Sequence, residues 1–370
     1  MQIEKQGKST IFLGSNYSRS AQDDKVWLDN LLACIPHKPS SLVVCSQENI
    51  WAHHGETLLT QLAGLEYPIH IQLFPDGEDC KTLKHYGTVL EEMVHLGCDR
   101  KSAILAFGGG TVGDSAGFIA ATFMRGISWV YVPTTLLAMQ DASVGGKVAI
   151  NLRHGKNLAG SFWQPEGVYI QMEYLATLPN RHFLAGSMEL IKHGVLEGGT
   201  LYQDMFQFPR AYDSDHTSYE AIVHRGIRTK INVVNIDFKE EGLRKSLNLG
   251  HTLAHALEKV SKYELYHGEA VGFGLIFACC LAQELGYLFD WSPLFTFILH
   301  RLPLGLIQDL FHENPEMKNL LFHTTYDKKK TAGKVTWIIP ETPGHISFSD
   351  QISETVMARA FEKWMSLIKV

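Results

Sequence analysis

The feature that most constrains the fold is an alternation that fills the first half of the chain and then stops. Short β-rich runs, "SLVVC" (41–45), "IHIQLF" (69–74), "SAILAFGGG" (102–110) and "SWVYVPTT" (128–135), are separated by helical patterns such as "KTLKHYGTVLEEMVHLGC" (81–98). Apolar strands alternating with helices specify a parallel sheet covered on both faces. From about residue 180 strand-like runs almost vanish, and "NRHFLAGSMELIKHGVLEG", "SYEAIVHRGIRTKINVVNID", "HTLAHALEKVSKY" and "GEAVGFGLIFACCLAQELGY" all suit helices. "VTWIIP" (335–340) is the main exception, a late hairpin or an added strand. The expectation is an α/β domain over 1–179 and a mostly helical domain over 180–370, divided at the breakers of "TLPN". A length of 370 residues suits two domains.

Charge and cysteine usage exclude several classes. A net charge of −6 gives no electrostatic footprint for nucleic acid, so an anionic small substrate needs a local basic pocket. The six cysteines form no CxxC pair, and Cys279 and Cys280 are adjacent in an apolar run. This argues against a disulfide framework or thiolate metal site and for a reducing, cytoplasmic setting. "MQIEKQGKST" has no apolar core of a signal peptide. The apolar run from Ala270 to Ala282 is shorter than the roughly 20 residues of a membrane span and reads as a buried helix.

Five stretches carry candidate chemistry. "AFGGGTVGDSAGF" (106–118) follows a strand and opens a helix; its glycines suit either a tight turn or close approach to an anion at the helix N-terminus. Its spacing is not GxGxxG. Asp114 there is either a helix cap or a ribose or nicotinamide contact. "DASVGGKVAINLRHGKN" (141–157) is loop-rich, either a solvated basic loop or a phosphate handler with Asp141, Lys147, Lys156 and Asn157. "SMELIKHG" puts Glu189 and Lys192 on one helix face, which taken alone reads as a surface ion pair. Arg244, Asn248, His251 and His255 recur at intervals of four, three and four. On one continuous helix they would form a polar stripe, better explained as a pocket lining than as a core face. "YHGEAVG" adds His267, and His251, His267 and Glu189 would make a His₂Glu zinc site with an open position. Spacing leaves that site level with satisfied core histidines.

Taken as a set, the motifs are specific. "PDGEDCKTL", "GGGTVGDSAGF", "MRGI", "VPTTLLAMQDASVGGK", "HGKNLAGSFWQP", "ELIKHG", "EEGLRKSLNLGHTLAHALE", "HGEAV" and "DKK…AGK" run in order from about residue 75 to 335. The chain resembles the 3-dehydroquinate synthases of the sugar phosphate cyclase family. The resemblance implies an N-terminal Rossmann-like α/β domain, a helical C-terminal domain and a homodimer using NAD and Zn²⁺, with Co²⁺ as an alternative metal. It implies metal ligands Glu189, His251 and His267, and NAD contacts Glu78, Lys81, Gly109, Gly110, Asp114, Thr134 and Thr135. Catalytic roles fall to Lys147, Lys192, Arg244, His255, Asp141 and Glu240. Substrate contacts fall to Arg125, Lys156, Asn157, Lys230, Asn248 and Lys329, with Arg125 reaching a neighbouring subunit's phosphate site.

The implied substrate is a phosphorylated sugar acid, 3-deoxy-D-arabino-heptulosonate 7-phosphate. Its carboxylate and phosphate suit the Lys, Arg and Asn set. The implied chemistry is transient oxidation by NAD⁺, phosphate elimination, re-reduction and intramolecular aldol closure. The chain departs from the family pattern at Cys80, Val148, Met188 and "DFKEEG". These leave room for a sister cyclase, and a metal-dependent alcohol or glycerol dehydrogenase is the more distant alternative. The Gly145–Gly146–Lys147 triplet favours the dehydroquinate synthases.

Overall fold

The computed structural model describes residues 2–14, 23–215, 217–313 and 336–369. The chain opens on an antiparallel hairpin of β1 (Gln2–Gln6) and β2 (Ser9–Leu13). After α1 (Asp23–Leu32) it alternates through β3 (Leu42–Gln47), α2 (Glu48–Leu62), β4 (Ile69–Phe74), α3 (Leu83–His95), β5 (Ala103–Gly108), α4 (Gly110–Thr122) and β6 (Ser128–Pro133). A second hairpin, β7 (Lys147–Leu152) with β8 (Gly155–Phe162), precedes β9 (Gly167–Ile170). The helical part follows as α5 (Asn180–Glu197), α6 (Gly199–Asp204), α7 (Thr217–Ile236), α8 (His251–Val260), α9 (His267–Glu284), α10 (Ser292–Leu299) and α11 (Leu304–Glu313). Hairpin β10 (Trp337–Thr342) with β11 (His345–Ser349) and helix α12 (Glu354–Ile368) end the described chain. The fold is an N-terminal Rossmann-like α/β sheet followed by a mostly helical region, as expected.

The chain divides into two compact units: Met1–Leu178 with Asp213–Lys239, and Pro179–Tyr212 with Glu240–Val370. The expected division into 1–179 and 180–370 misses the return of Asp213–Lys239 to the first unit. The reason lies in α7. Its Arg228 pairs with Glu4 at 2.5 Å, Asn235 donates to the Lys5 carbonyl, and Lys230 donates to Asp141. These contacts are not encoded in the helix's own periodicity.

In the first unit, one seven-stranded sheet takes the order β1-β2-β9-β6-β5-β3-β4, parallel except at β1–β2. Strands β3, β5 and β6 are buried along their whole length, which is why they read as continuous apolar runs. The chain leaves β3 for β4, then crosses back to place β5 on the other side of β3. That reversal makes the carboxyl ends of β3 and β5 a topological switch point, where open α/β sheets bind ligands. Helix α4 can lie close on the sheet because of two glycines. A Cβ on Gly113 would stand 2.6 Å from the Tyr131 ring, and one on Gly117 would stand 2.8 Å from the Trp129 ring, both on β6.

The second unit is built around α9. Every residue from Gly268 to Ala282 is buried, so this apolar run is a core helix, as its length indicated. Around it lie Met188 and Ile191 of α5, Leu253 and Leu257 of α8, and Phe361 and Trp364 of α12. Two backbone contacts set its neighbours. A Cβ on Gly274 would stand 2.0 Å from the Gly250 carbonyl oxygen, and one on Gly268 would stand 1.9 Å from the Ala185 carbonyl oxygen. Gly250 itself is left-handed, with φ of 81°, a conformation glycine adopts without steric cost. Glycines thus bring α8 and α5 backbone-to-backbone against α9.

Candidate active site and metal centre

Those contacts converge three side chains. Glu189 comes from α5, and His251 and His267 are the first residues of α8 and α9. Their ligand atoms all lie within 4.8 Å of one another. His251 Nε2 and His267 Nε2 each stand 3.6 Å from Glu189 Oε1. Two ligands each about 2.1 Å from a tetrahedral ion stand about 3.4 Å apart, so the spacing suits one shared cation. Glu189 is fully buried, with Oε1 facing the two imidazoles. The Lys192 ammonium lies against Oε2, and both side chains are buried. The surface ion pair suggested by the i,i+3 spacing is therefore corrected to an interior one: periodicity identifies the shared face but not what packs over it.

The ring orientations are held from behind. His251 Nδ1 meets the Leu249 carbonyl at 3.2 Å, which assigns the proton to Nδ1 and leaves the Nε2 lone pair facing Glu189. His267 Nδ1 stands 3.5 Å from Glu258 Oε1. Without a metal the titration pattern is split. Burial and then the Lys192 ammonium push His251 down to about 3. Burial also opposes charge on His267, but the Glu189 and Glu258 carboxylates overcome it and raise that ring to about 10. Burial opposes ionisation of Glu189 too, yet Lys192 and the two imidazoles hold its carboxyl well below the ordinary range. One buried carboxylate and two imidazoles whose Nε2 atoms converge on its Oε1 form a donor set suited to Zn²⁺ or Co²⁺. The turn entering α9 is fixed by Arg181. It grips Glu269 with Nε–Oε1 at 2.6 Å and a second bond to Oε2 at 2.8 Å, while Oε2 also accepts from the Tyr266 amide.

His255 sits exposed one turn along α8, its ring 5.6 Å from that of His251 in edge contact. Arg244 and Asn248 do not continue this face as one helix. They lie in a separate 3₁₀ turn, Leu243–Asn248, which Gly250 breaks from α8. The expected single polar stripe is thus corrected to two segments. Arg244 is buried, and Asn248 donates to Glu240 Oε1 at 2.6 Å, with Glu240 in a left-handed conformation.

In the first unit the candidates form two groups. At the switch point Lys81 binds both Asp114 Oδ2 and Asn157 Oδ1 at 2.5 Å. Lys156 reaches Glu78 Oε1 at 3.1 Å. Asn151, which the sequence did not single out, donates to Glu78 Oε2 and accepts from the Asn157 amide. Burial raises the Asp114 carboxyl above its usual range, and the Lys81 charge offsets only part of this. Burial also opposes ionisation of Glu78, but Lys81, Lys156 and Asn151 outweigh it and lower its value. Gln47, also missed, ties the ends of β3 and β4 by donating to the Pro75 and Gly77 carbonyls. In the other group Lys230 donates to Asp141 Oδ1 and to its carbonyl, at 2.5 and 2.6 Å.

The remaining candidates are placed more simply. Gly109 packs a would-be Cβ against Thr135 at 3.1 Å, and Gly110 against Ala142 at 3.3 Å. Thr134 is buried, and Thr135 accepts from the Ala138 amide. Lys147 is exposed at the start of β7, so the run that looked loop-rich is corrected to a hairpin. Its glycines and polar residues hid a strand pair that lies apart from the main sheet. Arg125 is exposed in a turn where Met124, Arg125 and Gly126 all have positive φ. Lys329 lies outside the described residues. Two departures from the family pattern are packing residues: Val148 faces Gly117, and Met188 faces Gly272.

By fold, the chain falls with solved structures of the dehydroquinate synthase-like fold. It resembles 2-deoxy-scyllo-inosose synthase complexed with carbaglucose-6-phosphate, NAD⁺ and Co²⁺, with TM-score 0.79 and 24% identity over 98% of this chain and 99% of that one. It also resembles 2-epi-5-epi-valiolone synthase from Streptomyces hygroscopicus with NAD⁺ and Zn²⁺ bound, with TM-score 0.77 and 21% identity over 95% and 99%. Residues 71–185 match the 3-dehydroquinate synthase N-terminal family model and residues 186–330 the C-terminal one. The 3-dehydroquinate synthase of Leptospira interrogans is 40% identical over 88% of this chain and 89% of its own length. That of Synechocystis is 38% identical over 85% and 88%. The chain belongs to the 3-dehydroquinate synthase family.

Proposed function

We propose that this chain converts 3-deoxy-D-arabino-heptulosonate 7-phosphate to 3-dehydroquinate and phosphate, using NAD and Zn²⁺ or Co²⁺. The observation that carries the reading is the buried Glu189–His251–His267 set beside Lys192, in a chain whose relatives at about 40% identity are named for this activity. The overall change is redox-neutral: phosphate leaves, one carbon–carbon bond closes the ring, and no reduced cofactor accumulates. When bound, the metal supplies Lewis acidity at a substrate hydroxyl and NAD⁺ a transient hydride acceptor.

The chain's own residues then have these parts. Glu189, His251 and His267 hold the ion. Glu78, Lys81, Gly109, Gly110, Asp114, Thr134 and Thr135 hold NAD, in keeping with the polar network at the β3–β5 switch point. Lys147, Lys156, Asn157, Lys192, Lys230, Arg244, Asn248 and Lys329 supply cations and amides for the substrate's carboxylate, hydroxyls and phosphate. Asp141 holds Lys230, and Glu240 holds Asn248. His255, exposed beside the ligand histidines, moves or orients a proton on a substrate oxygen. The enzyme works as a homodimer in which Arg125, on its strained exposed turn, serves the neighbouring subunit's phosphate site. Its six unpaired thiols suit a reducing cytoplasm.

The test is product analysis from the heptulosonate phosphate with NAD⁺ and Zn²⁺ present. Dehydroquinate and phosphate in equal amounts are expected, with no net rise in NADH absorbance. Stoichiometric NADH accumulation would instead mark a dehydrogenase.

A further inference from the structure

The two ligand imidazoles are oriented by different kinds of partner. His251 is held by a backbone carbonyl, that of Leu249, which no side-chain substitution removes. His267 is held by a side chain: Glu258 Oε1 stands 3.5 Å from Nδ1. Glu258 lies two turns along α8 from His251, on the same face. It is 7% exposed, among Leu253, Ala254, Ala256 and Leu257 on a helix that otherwise buries apolar groups. A carboxylate in such a setting is costly unless paired. Its backbone is fixed as well, because the Glu258 carbonyl accepts from the Tyr263 amide at 2.7 Å and from Ser261 Oγ at 3.2 Å. The carboxylate is thus a rigid fixture of the α8 C-terminus, aimed at the far nitrogen of a ligand on α9.

We propose that Glu258 is a positioning residue that sets the affinity of the Glu189–His251–His267 site for its ion, by holding the His267 ring through Nδ1. The proposal rests on the metal reading above. A carboxylate behind a ligand imidazole fixes the tautomer, directs Nε2 and makes that nitrogen a stronger donor. It also joins α8 to α9 at the end opposite the Gly250–Gly274 contact, so the second and third ligands move together.

The test compares wild type, Glu258→Gln, Glu258→Ala and His251→Ala as purified metal-free proteins. Zn²⁺ dissociation constants are measured by competition with a chromogenic chelator, and Co²⁺ visible spectra report ligand geometry. Far-UV circular dichroism and the metal-free melting temperature separate folding from binding. Loss of an outer-shell partner typically weakens metal binding by about 10–100-fold, and that is expected for Glu258→Ala, with an altered Co²⁺ spectrum. Glu258→Gln keeps an oxygen for Nδ1–H without the charge, so it should recover part of the loss and serves also where the alanine variant folds poorly. If Glu258→Ala and Glu258→Gln bind Zn²⁺ within about twofold of wild type while His251→Ala loses it, the proposal is overturned and the metal site stands. If His251→Ala binds as tightly as wild type, the metal reading itself fails and takes this proposal with it.

Discussion

Gly274→Ala tests whether glycines assemble the candidate metal centre. Gly274 lies in the middle of α9, where alanine would ordinarily stabilise a helix by about 1 kcal/mol. Here the new Cβ would stand 2.0 Å from the Gly250 carbonyl oxygen, 2.8 Å from its carbon and 3.2 Å from its Cα. An unstrained C···O contact needs about 3.3 Å, so α8 and α9 must part locally by more than about 1 Å. No rotamer change relieves a clash with backbone. Overpacking costs about 1–3 kcal/mol, and a clash with backbone that no side chain can relieve falls at the upper end, about 3 kcal/mol, which outweighs the gain in helix propensity. The expected net loss is about 2 kcal/mol, or about 4–8 °C in melting temperature for a unit of this size.

Gly272→Ala is the matched control on the same helix. Its Cβ would meet Met188 Sδ at 2.8 Å and Leu302 Cδ2 at 3.0 Å, the movable ends of two side chains. Its loss should stay within about 1 kcal/mol. The assay is thermal unfolding of the metal-free proteins followed by circular dichroism, with Zn²⁺ affinity measured in parallel. His251 directly follows Gly250, so Gly274→Ala should weaken Zn²⁺ binding more than Gly272→Ala does. A Gly274→Ala protein that melts at or above the wild-type temperature would refute the close-contact account.

Three other perturbations address separate parts of the site. His251→Ala should abolish both Zn²⁺ binding and turnover; full activity with no bound metal would sink the ligand assignment. Lys147→Ala should cut kcat/KM for the sugar phosphate by about 2–4 kcal/mol in free-energy terms, the range for removing one charged transition-state contact, while leaving NAD affinity unchanged. Unchanged kinetics would make the β7–β8 hairpin structural only. Arg181→Met strands the buried Glu269 carboxylate at the start of α9 and should cost about 1–2 kcal/mol, a figure reduced for the exposure of Arg181. An unaltered melting temperature would show that Glu269 holds the turn by itself.

The strands were legible because burial on both faces leaves an unmistakable continuous apolar run, as in "LVVC" and "AILAF". The hairpins β1–β2 and β7–β8 were not, since their residues are half polar and their pairing is set by partners across a turn. The same limit applies to the site. Residue spacing relates side chains on one helix, whereas Glu189, His251 and His267 sit on three. What unites them is written in Gly250, Gly268 and Gly274, glycines inside apolar patterns, which signal close backbone approach before they signal flexibility. The Arg244–His255 stripe failed at one of these, because a left-handed Gly250 interrupts the period.

The sequence carries a second signal at the end of α8. His251, His255 and Glu258 follow one another at i, i+4 and i+7, so they share a helix face. Once His251 is taken as a ligand, a carboxylate two turns away on that face is more than a solvated charge. Glu258 is itself buried, at 7% exposed, so its carboxylate must have a polar partner. Of the groups near it, His267 offers Nδ1, the ring nitrogen that the proposed metal site would leave unused. The sequence therefore contained the proposed support of the candidate site as well as its proposed ligands, while the Glu258–His267 approach at 3.5 Å is visible only in the folded chain.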